Sequence, residues 1–274
     1  MLSVKSPICR IGGKHYLTSW ITQYIPEHVT YVEPFCGAGH LLFSKEFSPV
    51  EILNDIDSHL IGFFELLRDD TKRSKLIQIL DNMLYSRRLW QDIRSRWKQG
   101  DLPTNYIERV SQWFYLNRTC FSGDQKRGGF AVPSTTGRNP AQSYYNAIYF
   151  LEHIAKRLRG VTIECLGYAD CIQRYDSETT LFYCDPPYLN TEDYYGKGCF
   201  TLEDHCKLSE LLHGIKGKVM VSHYSNELYD DLYKGWQRYK YQSFKGSYKS
   251  EGESKPKTQE CLFTNYEATQ RRLF

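Results

Sequence analysis

The tetrapeptide Asp185-Pro186-Pro187-Tyr188 combines groups that could do chemistry on a planar ligand. It follows the apolar stretch Leu181–Cys184, so the pattern places it where a buried strand ends. Proline has no backbone N–H and a fixed φ, so the two prolines end the strand and restrict the backbone. The carboxylate and the proline carbonyls offer hydrogen-bond acceptors, and the tyrosine offers an aromatic face. An ordinary turn is the alternative interpretation.

A glycine-rich turn supplies a second candidate site. The run Glu33–Gly39 reads Glu-Pro-Phe-Cys-Gly-Ala-Gly. It contains the end of the predicted strand Val29–Phe35 and the turn that follows it. A strand, such a turn and a helix form a nucleotide-binding edge, but the third glycine of the dinucleotide fingerprint is missing. No Gly-Lys-Ser/Thr ending is present to hold phosphates. The turn therefore favours a cofactor that contains a nucleoside but no pyrophosphate.

Two further signals support a cofactor site. Asp55 ends the next predicted strand, where an acidic side chain can accept hydrogen bonds from ribose hydroxyls. The alternative for Asp55 is a helix N-cap before Ile56. Near the start of the chain, Gly12 and Gly13 permit close backbone approach to a ligand, and Lys14 could pair with a carboxylate. An ordinary turn is again the alternative there.

Alternating strand and helix patterns must position these motifs. Helices are predicted from about Ala38 and over Ile56–Leu67, Asn146–Arg159, Leu202–His213 and Asn226–Tyr233. The predicted strands are Val29–Phe35, Val50–Asp55, Val161–Leu166, Thr180–Cys184, Lys218–Ser222, Arg238–Phe244 and Cys261–Thr264. This rhythm predicts an α/β fold with a mostly parallel sheet covered by helices.

The stretch 71–140 interrupts the rhythm with Arg-, Trp- and Gln-rich helical sequence and the Gly/Ser/Thr-rich loop Ser122–Gly137. We interpret it as an inserted helical domain, with residues 1–70 and 141–274 forming the main domain. Net charge is +6 over residues 85–140 and +5 over 234–257, against −8 for the rest. A basic face on an acidic body favours a polyanionic partner such as nucleic acid. Solvated basic helices are the alternative.

Composition narrows the class of protein. The chain has 274 residues with 41% hydrophobic and 15% aromatic content, enough for one main domain and an insertion. It contains no run of about 18 apolar residues and no secretory signal pattern, so we expect a soluble, intracellular protein. Its nine cysteines are scattered singly, without zinc-ligand spacing, which indicates reduced thiols.

These motifs, in this order, resemble the Dam-type DNA adenine N6-methyltransferases. The resemblance covers nearly the full chain, including Tyr115–Arg118 and the closing strand Glu260–Phe263. It implies a Rossmann-like methyltransferase domain, an inserted DNA-recognition domain, S-adenosylmethionine as cofactor and double-stranded DNA as partner. By similarity the cofactor would contact Arg10, Gly12, Gly13, Lys14, Pro34, Phe35, Gly37, Gly39, Asp55 and Asp185, with Asp170 at its adenine ring.

The resemblance makes Asp185, Pro186, Pro187 and Tyr188 the catalytic residues. An adenine amino nitrogen is a poor nucleophile because its lone pair is delocalised into the ring. Asp185 would accept one amino hydrogen and the Pro186 carbonyl the other, allowing direct in-line transfer without metal or covalent intermediate. Flipping the base costs a few kcal/mol. Stacking on Tyr188, worth about 1–3 kcal/mol, would offset much of that cost. A buried core tyrosine is the alternative for Tyr188.

The expected DNA contacts lie in the insertion. Arg and Asn side chains can read base edges, and other cations hold phosphates. The candidates are Asn117, Arg118, Ser122, Lys126, Arg127 and Arg138. Arg118 has a structural role as its alternative. The loop from Phe121 to the Gly129-Phe130 pair is shorter than in enzymes that read GATC, so we expect a different target.

Several alternatives remain open at this stage. They are methylation of RNA or of a protein side chain, a catalytically silent DNA-binding relative, and a phosphate-handling α/β enzyme. The loop Lys245–Lys257 could close over DNA or act as a solvated linker. The resemblance also implies a cytoplasmic, bacterial or phage-encoded enzyme associated with DNA, and it leaves open a cognate restriction endonuclease as a further partner.

Overall fold

The structure is a computed structural model that describes residues 5–10, 12–189, 199–244 and 257–268. Its regular elements alternate between strands and helices along much of the chain. The strands are β1 Thr30–Glu33, β2 Val50–Asn54, β3 Val161–Glu164, β4 Thr180–Cys184, β5 Lys218–Tyr224, β6 Gln237–Phe244 and β7 Lys257–Thr264. The helices are α1 Thr18–Ile21, α2 His40–Ser44, α3 Ser58–Arg68, α4 Asp70–Asn82, α5 Arg87–Lys98, α6 Tyr106–Thr119, α7 Pro140–Tyr149, α8 Leu151–Arg157, α9 Tyr168–Tyr175, α10 Leu202–Gly214 and α11 Glu227–Leu232.

The strands form one seven-stranded sheet in the order β3-β2-β1-β4-β5-β7-β6. Strands β1 to β5 pair in parallel, whereas β7 runs antiparallel to both β5 and β6. Every residue of β4 is buried, as expected for a central parallel strand with covered faces. The predicted α/β class with a mostly parallel sheet is therefore confirmed.

The chain divides into two compact units. The sheet unit comprises Lys14–Ile56 and Val161–Phe274. Its core contains apolar residues from several strands, such as Val32, Phe182 and Val219. Burying such side chains contributes about 1.5–3 kcal/mol each, which makes this core the main stabilising feature of the unit.

The helical unit comprises Met1–Gly13 and Asp57–Gly160. Its centre is aromatic, with the rings of Phe63 on α3 and Phe114 on α6 stacked at 4.9 Å and 6°. The predicted insertion spanned only 71–140, but α3 packs against α4, α6 and α8 and so belongs to this unit. The unit therefore extends beyond the predicted bounds at both ends, and its role as a DNA-recognition domain stays a prediction.

Several element boundaries differ from those predicted. The single predicted helix Asn146–Arg159 is two helices, because α7 ends before Phe150 and α8 begins after it. Helix α9 was not predicted, and β5 extends two residues beyond Ser222. The loop predicted over residues 245–257 lies, apart from Lys257, outside the described residues. None of the described helices is long and apolar enough to cross a membrane.

Candidate active site at the carboxyl edge of the sheet

The strand order places the two principal motifs side by side. From β1 the sheet grows through β2 and β3 on one side and through β4 and β5 on the other. Ligands of open α/β sheets bind beyond the carboxyl ends of strands at such a reversal. Because β1 pairs in parallel with β4, the glycine-rich turn and the Asp185-Tyr188 motif leave the sheet at the same edge.

Asp185 is held by two side chains from other parts of the sheet unit. The Lys14 ammonium lies 2.7 Å from its Oδ1, and the Ser222 hydroxyl donates to the same oxygen at 3.0 Å. The Lys14 side chain is only 6% exposed, whereas that of Asp185 is 22% exposed. Lys14 thus pairs with a carboxylate of the protein itself. A partly accessible, oriented carboxylate is what an acceptor for a substrate hydrogen requires.

Tyr188 is buried rather than open to solvent. It is 7% exposed, and its hydroxyl donates to Glu260 Oε2 at 3.0 Å. The His223 ring lies 4.6 Å from the tyrosine ring, and Lys14 Nζ lies 4.4 Å from its centroid. Burial raises the pKa of Glu260, with the Lys14 charge opposing the shift. Because Lys14 Nζ lies over the Tyr188 ring, stacking of a base on that face would require the Lys14 ammonium to move.

The glycine-rich turn is closed by Asp55. The Gly37 backbone N–H donates to Asp55 Oδ2 at 2.8 Å. Gly39 has a φ of 64°, and an added Cβ would lie 3.1 Å from the Phe43 ring, so glycine suits this position. Helix α3 is capped by Asp57, whose side chain accepts from the His59 and Leu60 amides. The interpretation of Asp55 as that cap is therefore wrong.

Asn54 connects the loops that follow the first three strands. Its side-chain amide donates to the Pro34 and Leu166 carbonyls at 2.9 and 3.0 Å. Its Oδ1 accepts from the Leu166 amide at 2.8 Å. Asn54 is fully buried, so these contacts fix the edge of the site. Sequence reasoning missed this residue, although a polar residue at the end of an apolar strand was a usable signal.

Glu33 of the same motif faces inward. Its Oε1 accepts hydrogen bonds from the Tyr31 hydroxyl and the Leu42 amide, both at 2.8 Å. Leu42 lies in the first turn of α2, whose amides need acceptors. Burial raises the pKa of Glu33 from its ordinary value of 4.5 to about 7. Glu33 therefore fixes the start of α2 behind the glycine-rich turn.

Aromatic side chains line the neighbouring part of this edge. Phe35 stacks on Tyr168 at 5.3 Å and 25°, and Phe200 meets Phe35 edge-on. Asp170 is exposed in the first turn of α9. Aromatic faces beside carboxylates fit a nucleoside cofactor with a cationic group. Among the described residues, no three His, Cys, Asp or Glu side chains are grouped so as to hold a metal ion.

The other predicted cofactor contacts lie in the helical unit. Arg10 forms an ion pair with Asp57 at 2.5 Å, and the Gly13 amide closes a turn onto the Arg10 carbonyl at 3.1 Å. Gly12 adopts a φ of 77°, which explains the need for glycine there. The structure therefore gives Arg10 an internal partner at the start of α3.

Two predicted DNA contacts are engaged inside the helical unit. Asn117 is 3% exposed, and its Oδ1 and Nδ2 bond to the backbone N and O of Cys9 at 3.0 and 2.8 Å. Arg118 donates to the carbonyls of Pro7 and Ser143 at 3.3 and 2.8 Å. The structural role considered for Arg118 therefore fits its contacts, and the same applies to Asn117. DNA contact by Asn117 would break its internal pair of bonds.

The remaining predicted DNA contacts point outward. Ser122, Lys126, Arg127 and Arg138 are all exposed. The loop that carries the first three is shaped by Asp124, whose Oδ1 accepts from the amides of Lys126 and Arg127 at 3.0 and 2.8 Å. The Arg138 guanidinium lies 5.5 Å from the Phe121 ring. These exposed side chains stay candidates for contact with a polyanion.

Helix α5 adds cations that the residue-level prediction did not name. It buries Trp90 and Ile93 and carries five basic residues against one acidic residue. Arg94 Nη2 donates to the Lys126 carbonyl at 2.9 Å, which joins α5 to the loop. The basic residues are Arg87, Arg88, Arg94, Arg96 and Lys98. The +6 charge of residues 85–140 was the signal that could have identified them.

Comparisons with known proteins place this chain among sequences of one family. Residues 11–247 match the family model described as D12 class N6 adenine-specific DNA methyltransferase. A DNA adenine methylase of Vibrio cholerae is 31% identical over 245 residues, covering 82% of this chain and 83% of that protein. The DNA adenine methylase of Escherichia coli is 29% identical over 235 residues, covering 81% of each. The type II methyltransferase M.MjaIII of Methanocaldococcus jannaschii is 27% identical over 264 residues, covering 86% and 90%.

Proposed function

Since the chain belongs to the D12 class of N6 adenine-specific DNA methyltransferases, we propose that Asp185 activates the target adenine. The enzyme transfers a methyl group to adenine N6 in DNA, and its cofactor is S-adenosylmethionine, which supplies an electrophilic methyl group on sulfur. The observation that carries the proposal is the Asp185 carboxylate at the carboxyl end of β4, oriented by Lys14 and Ser222.

In this mechanism the protein frees the amino lone pair of adenine. Within the described residues, Lys14 and Ser222 both contact Oδ1 of Asp185, and Oδ2 would accept one amino hydrogen. The Pro186 carbonyl accepts the other, and Pro187 keeps the backbone restricted. The nitrogen would then become more tetrahedral and attack the methyl carbon in line, forming the nitrogen–carbon bond as the carbon–sulfur bond breaks and a neutral thioether leaves. The amino proton would pass to the Asp185 carboxylate and then to water, with positioning and fixed electrostatics as the main contributions.

Tyr188 provides the stacking surface for the extruded base. Its ring is already oriented by Glu260 and His223, so little side-chain entropy is lost when a base arrives. As the base enters, the Lys14 ammonium would leave the face of the ring, and the Ser222 hydroxyl would keep Asp185 oriented. A Tyr188→Ala variant should lose base extrusion and turnover but retain cofactor binding, and unchanged turnover would exclude the stacking role.

The two motifs at the sheet edge would hold the cofactor. Asp55 would accept hydrogen bonds from the ribose hydroxyls, and the stacked pair of Phe35 and Tyr168 would pack beside the adenine ring of the cofactor. Asp170, exposed at the start of α9, would contact the same ring. The turn glycines permit close approach, while Pro34 is fixed through Asn54. Arg10, Gly12, Gly13 and Lys14 complete the proposed set.

DNA is bound by the exposed cations of the helical unit. We assign the phosphate contacts to α5 and to the loop bearing Lys126 and Arg127, with Arg138 nearby in sequence. The Arg94 bond to the Lys126 carbonyl links α5 to this loop, and we propose that these residues form one basic surface. Asn117 and Arg118 support that surface from inside through Cys9. Ser122, exposed at the start of the loop, is a candidate for base contact.

The target sequence differs from GATC in our proposal. The loop from Phe121 to Phe130 is compact, since the Gly128 amide bonds to the Asp124 carbonyl at 2.9 Å. A Cβ on Gly123 would lie 2.2 Å from the Cys9 carbonyl oxygen, so the loop packs tightly on the N-terminal segment. A short, closed loop offers fewer side chains for base readout than a longer one.

Since some relatives are type II methyltransferases, a cognate restriction endonuclease is a further proposed partner.

The test is to express the chain in a host that lacks DNA methylation and to map modified bases by sequencing. We expect N6-methyladenine at one short recurring sequence other than GATC, and no such signal with Asp185→Asn. Modification at GATC would refute the target proposal alone. Modified adenine that persists in Asp185→Asn would refute the proposed role of Asp185.

A further inference from the structure

His223 lies directly behind the catalytic motif. It belongs to β5 and is 1% exposed. Its Nε2 lies 3.0 Å from the Leu189 backbone nitrogen, and its Nδ1 lies 2.8 Å from the Tyr224 carbonyl oxygen. A backbone N–H can only donate and a carbonyl can only accept. The two contacts therefore define a neutral imidazole with its proton on Nδ1 and its acceptor toward Leu189.

The His223 ring is also packed between two tyrosines. It stacks on Tyr229 at 3.6 Å and 15°, and it meets Tyr188 at 4.6 Å and 35°. Tyr188 is tied at its other end by the hydroxyl bond to Glu260. The imidazole therefore sets the plane of the Tyr188 ring as well as the position of the next backbone amide.

An ordinary core residue would not account for both features. A phenylalanine could fill the same volume and stack, yet it has no acceptor for the Leu189 N–H. A buried amide without an acceptor is unfavourable, so the segment at Leu189 would relax to find another acceptor. Burial lowers the pKa of His223 to about 3, so the acceptor nitrogen is kept at neutral pH. The residue thus combines packing with a directed hydrogen bond at the end of the catalytic motif.

We infer that His223 is a positioning residue for adenine methylation, which fixes the Leu189 backbone and the Tyr188 ring so that the motif meets the target base. The inference rests on the proposed roles of Asp185 and Tyr188. His223 touches neither substrate nor cofactor in this account. It acts through the segment that does, so its loss affects the chemical step more than ligand affinity.

The experiment compares His223→Phe with His223→Gln. Glutamine can place its Oε1 near the position of Nε2 and accept from Leu189, whereas phenylalanine keeps only the stacking. We expect His223→Phe to slow single-turnover methylation about 10- to 100-fold while the Kd for S-adenosylmethionine changes less than twofold. His223→Gln should restore the rate to within about fivefold of the wild type. The matched control His213→Phe makes the same change at an exposed histidine on α10 and should leave the rate unchanged.

A second readout separates positioning from folding. The fluorescence of 2-aminopurine at the target position reports how the extruded base is stacked, and we expect it to change in His223→Phe and to recover in His223→Gln. If His223→Phe does not fold, His223→Leu is measured in its place, with the same expectation. Wild-type rates in the apolar variant, or equal losses in both variants, would overturn the inference. Failure of the wild type to methylate adenine would instead overturn the proposed function.

Discussion

The proposed catalytic segment Asp185–Leu189 and the proposed recognition segment Phe121–Phe130 each form part of a longer connection between regular elements, but they are stabilised in different ways. Ser222, His223 and Glu260 bind the catalytic segment from β5 and β7. The recognition segment is shaped largely by its own Asp124 and presents its cations to solvent. The first arrangement suits a fixed reaction, and the second suits contacts that differ between DNA targets.

The largest expected effect is at the catalytic segment. Asp185→Asn should reduce kcat about 100- to 1,000-fold, the usual loss when one electrostatic partner of the reacting group is removed. S-adenosylmethionine binding, measured by calorimetry, should remain within about tenfold because the Asp55 turn is untouched. A kcat within threefold of the wild type would show that the segment Asp185–Leu189 does not supply a catalytic carboxylate, and the comparison of the two segments would fail.

Glu33→Gln tests the support behind the cofactor turn. Because burial raises the pKa of Glu33 from 4.5 to about 7, its contribution to stability is fully present below pH 4.5 and is lost as pH rises through about 7. Glutamine keeps an acceptor for Tyr31 and Leu42 without a titrating charge. Relative to the wild type, the variant should gain up to about 3 kcal/mol between pH 4 and pH 8. Urea unfolding of both proteins at pH 4 and pH 8 measures this gain. The same difference in unfolding free energy between variant and wild type at both pH values would contradict it.

Asn117→Leu tests whether Asn117 supports the helical unit or contacts DNA. Leucine has nearly the same volume but leaves the Cys9 N–H and carbonyl without their partner, so we expect a loss of about 1–3 kcal/mol in unfolding free energy. The control Ser122→Ala, at an exposed site of the recognition segment, should change stability by less than about 0.5 kcal/mol. Full stability of Asn117→Leu together with lost DNA affinity would assign Asn117 to the DNA.

The smallest expected effects come from single exposed cations. Lys126→Ala and Arg127→Ala should each weaken DNA binding a few-fold and lower the slope of log K against log salt by about 0.9 per lost phosphate contact. Lys75→Ala, an exposed cation on α4 outside this surface, serves as the matched control and should leave the slope unchanged. Fluorescence anisotropy at several salt concentrations measures the slopes. Equal slopes for all variants would exclude the assigned surface.

The sequence was most informative where local pattern determines structure. The β4 boundaries, Thr180–Cys184, match because a fully apolar run ended by two prolines allows little else. The helix predicted over Asn146–Arg159 was wrong in one respect, since periodicity continues across the break at Phe150. The residues that support the site could not be found in this way. Ser222 and Glu260 reach the catalytic motif only through the pairing of β4, β5 and β7, which no local pattern encodes.

The sequence predicted the chemistry of DNA binding better than it predicted which residues bind DNA. Net charge identified the basic stretch, but charge and side-chain type cannot tell an exposed arginine from one that binds Pro7 and Ser143. The same holds for Asn117, whose amide suits a base edge and a backbone equally. Burial distinguishes the two roles, and burial depends on how α6 packs in the helical unit.

Product analysis with purified protein tests the central claim most directly. The enzyme is incubated with unmethylated duplex DNA and S-adenosylmethionine carrying a labelled methyl group, and the DNA is digested to nucleosides and separated by mass. We predict the label in N6-methyldeoxyadenosine for the wild type and its near absence for Asp185→Asn. Label in a modified cytosine, or equal N6-methyldeoxyadenosine from the variant, would contradict a methyl transfer to adenine that depends on the Asp185 carboxylate.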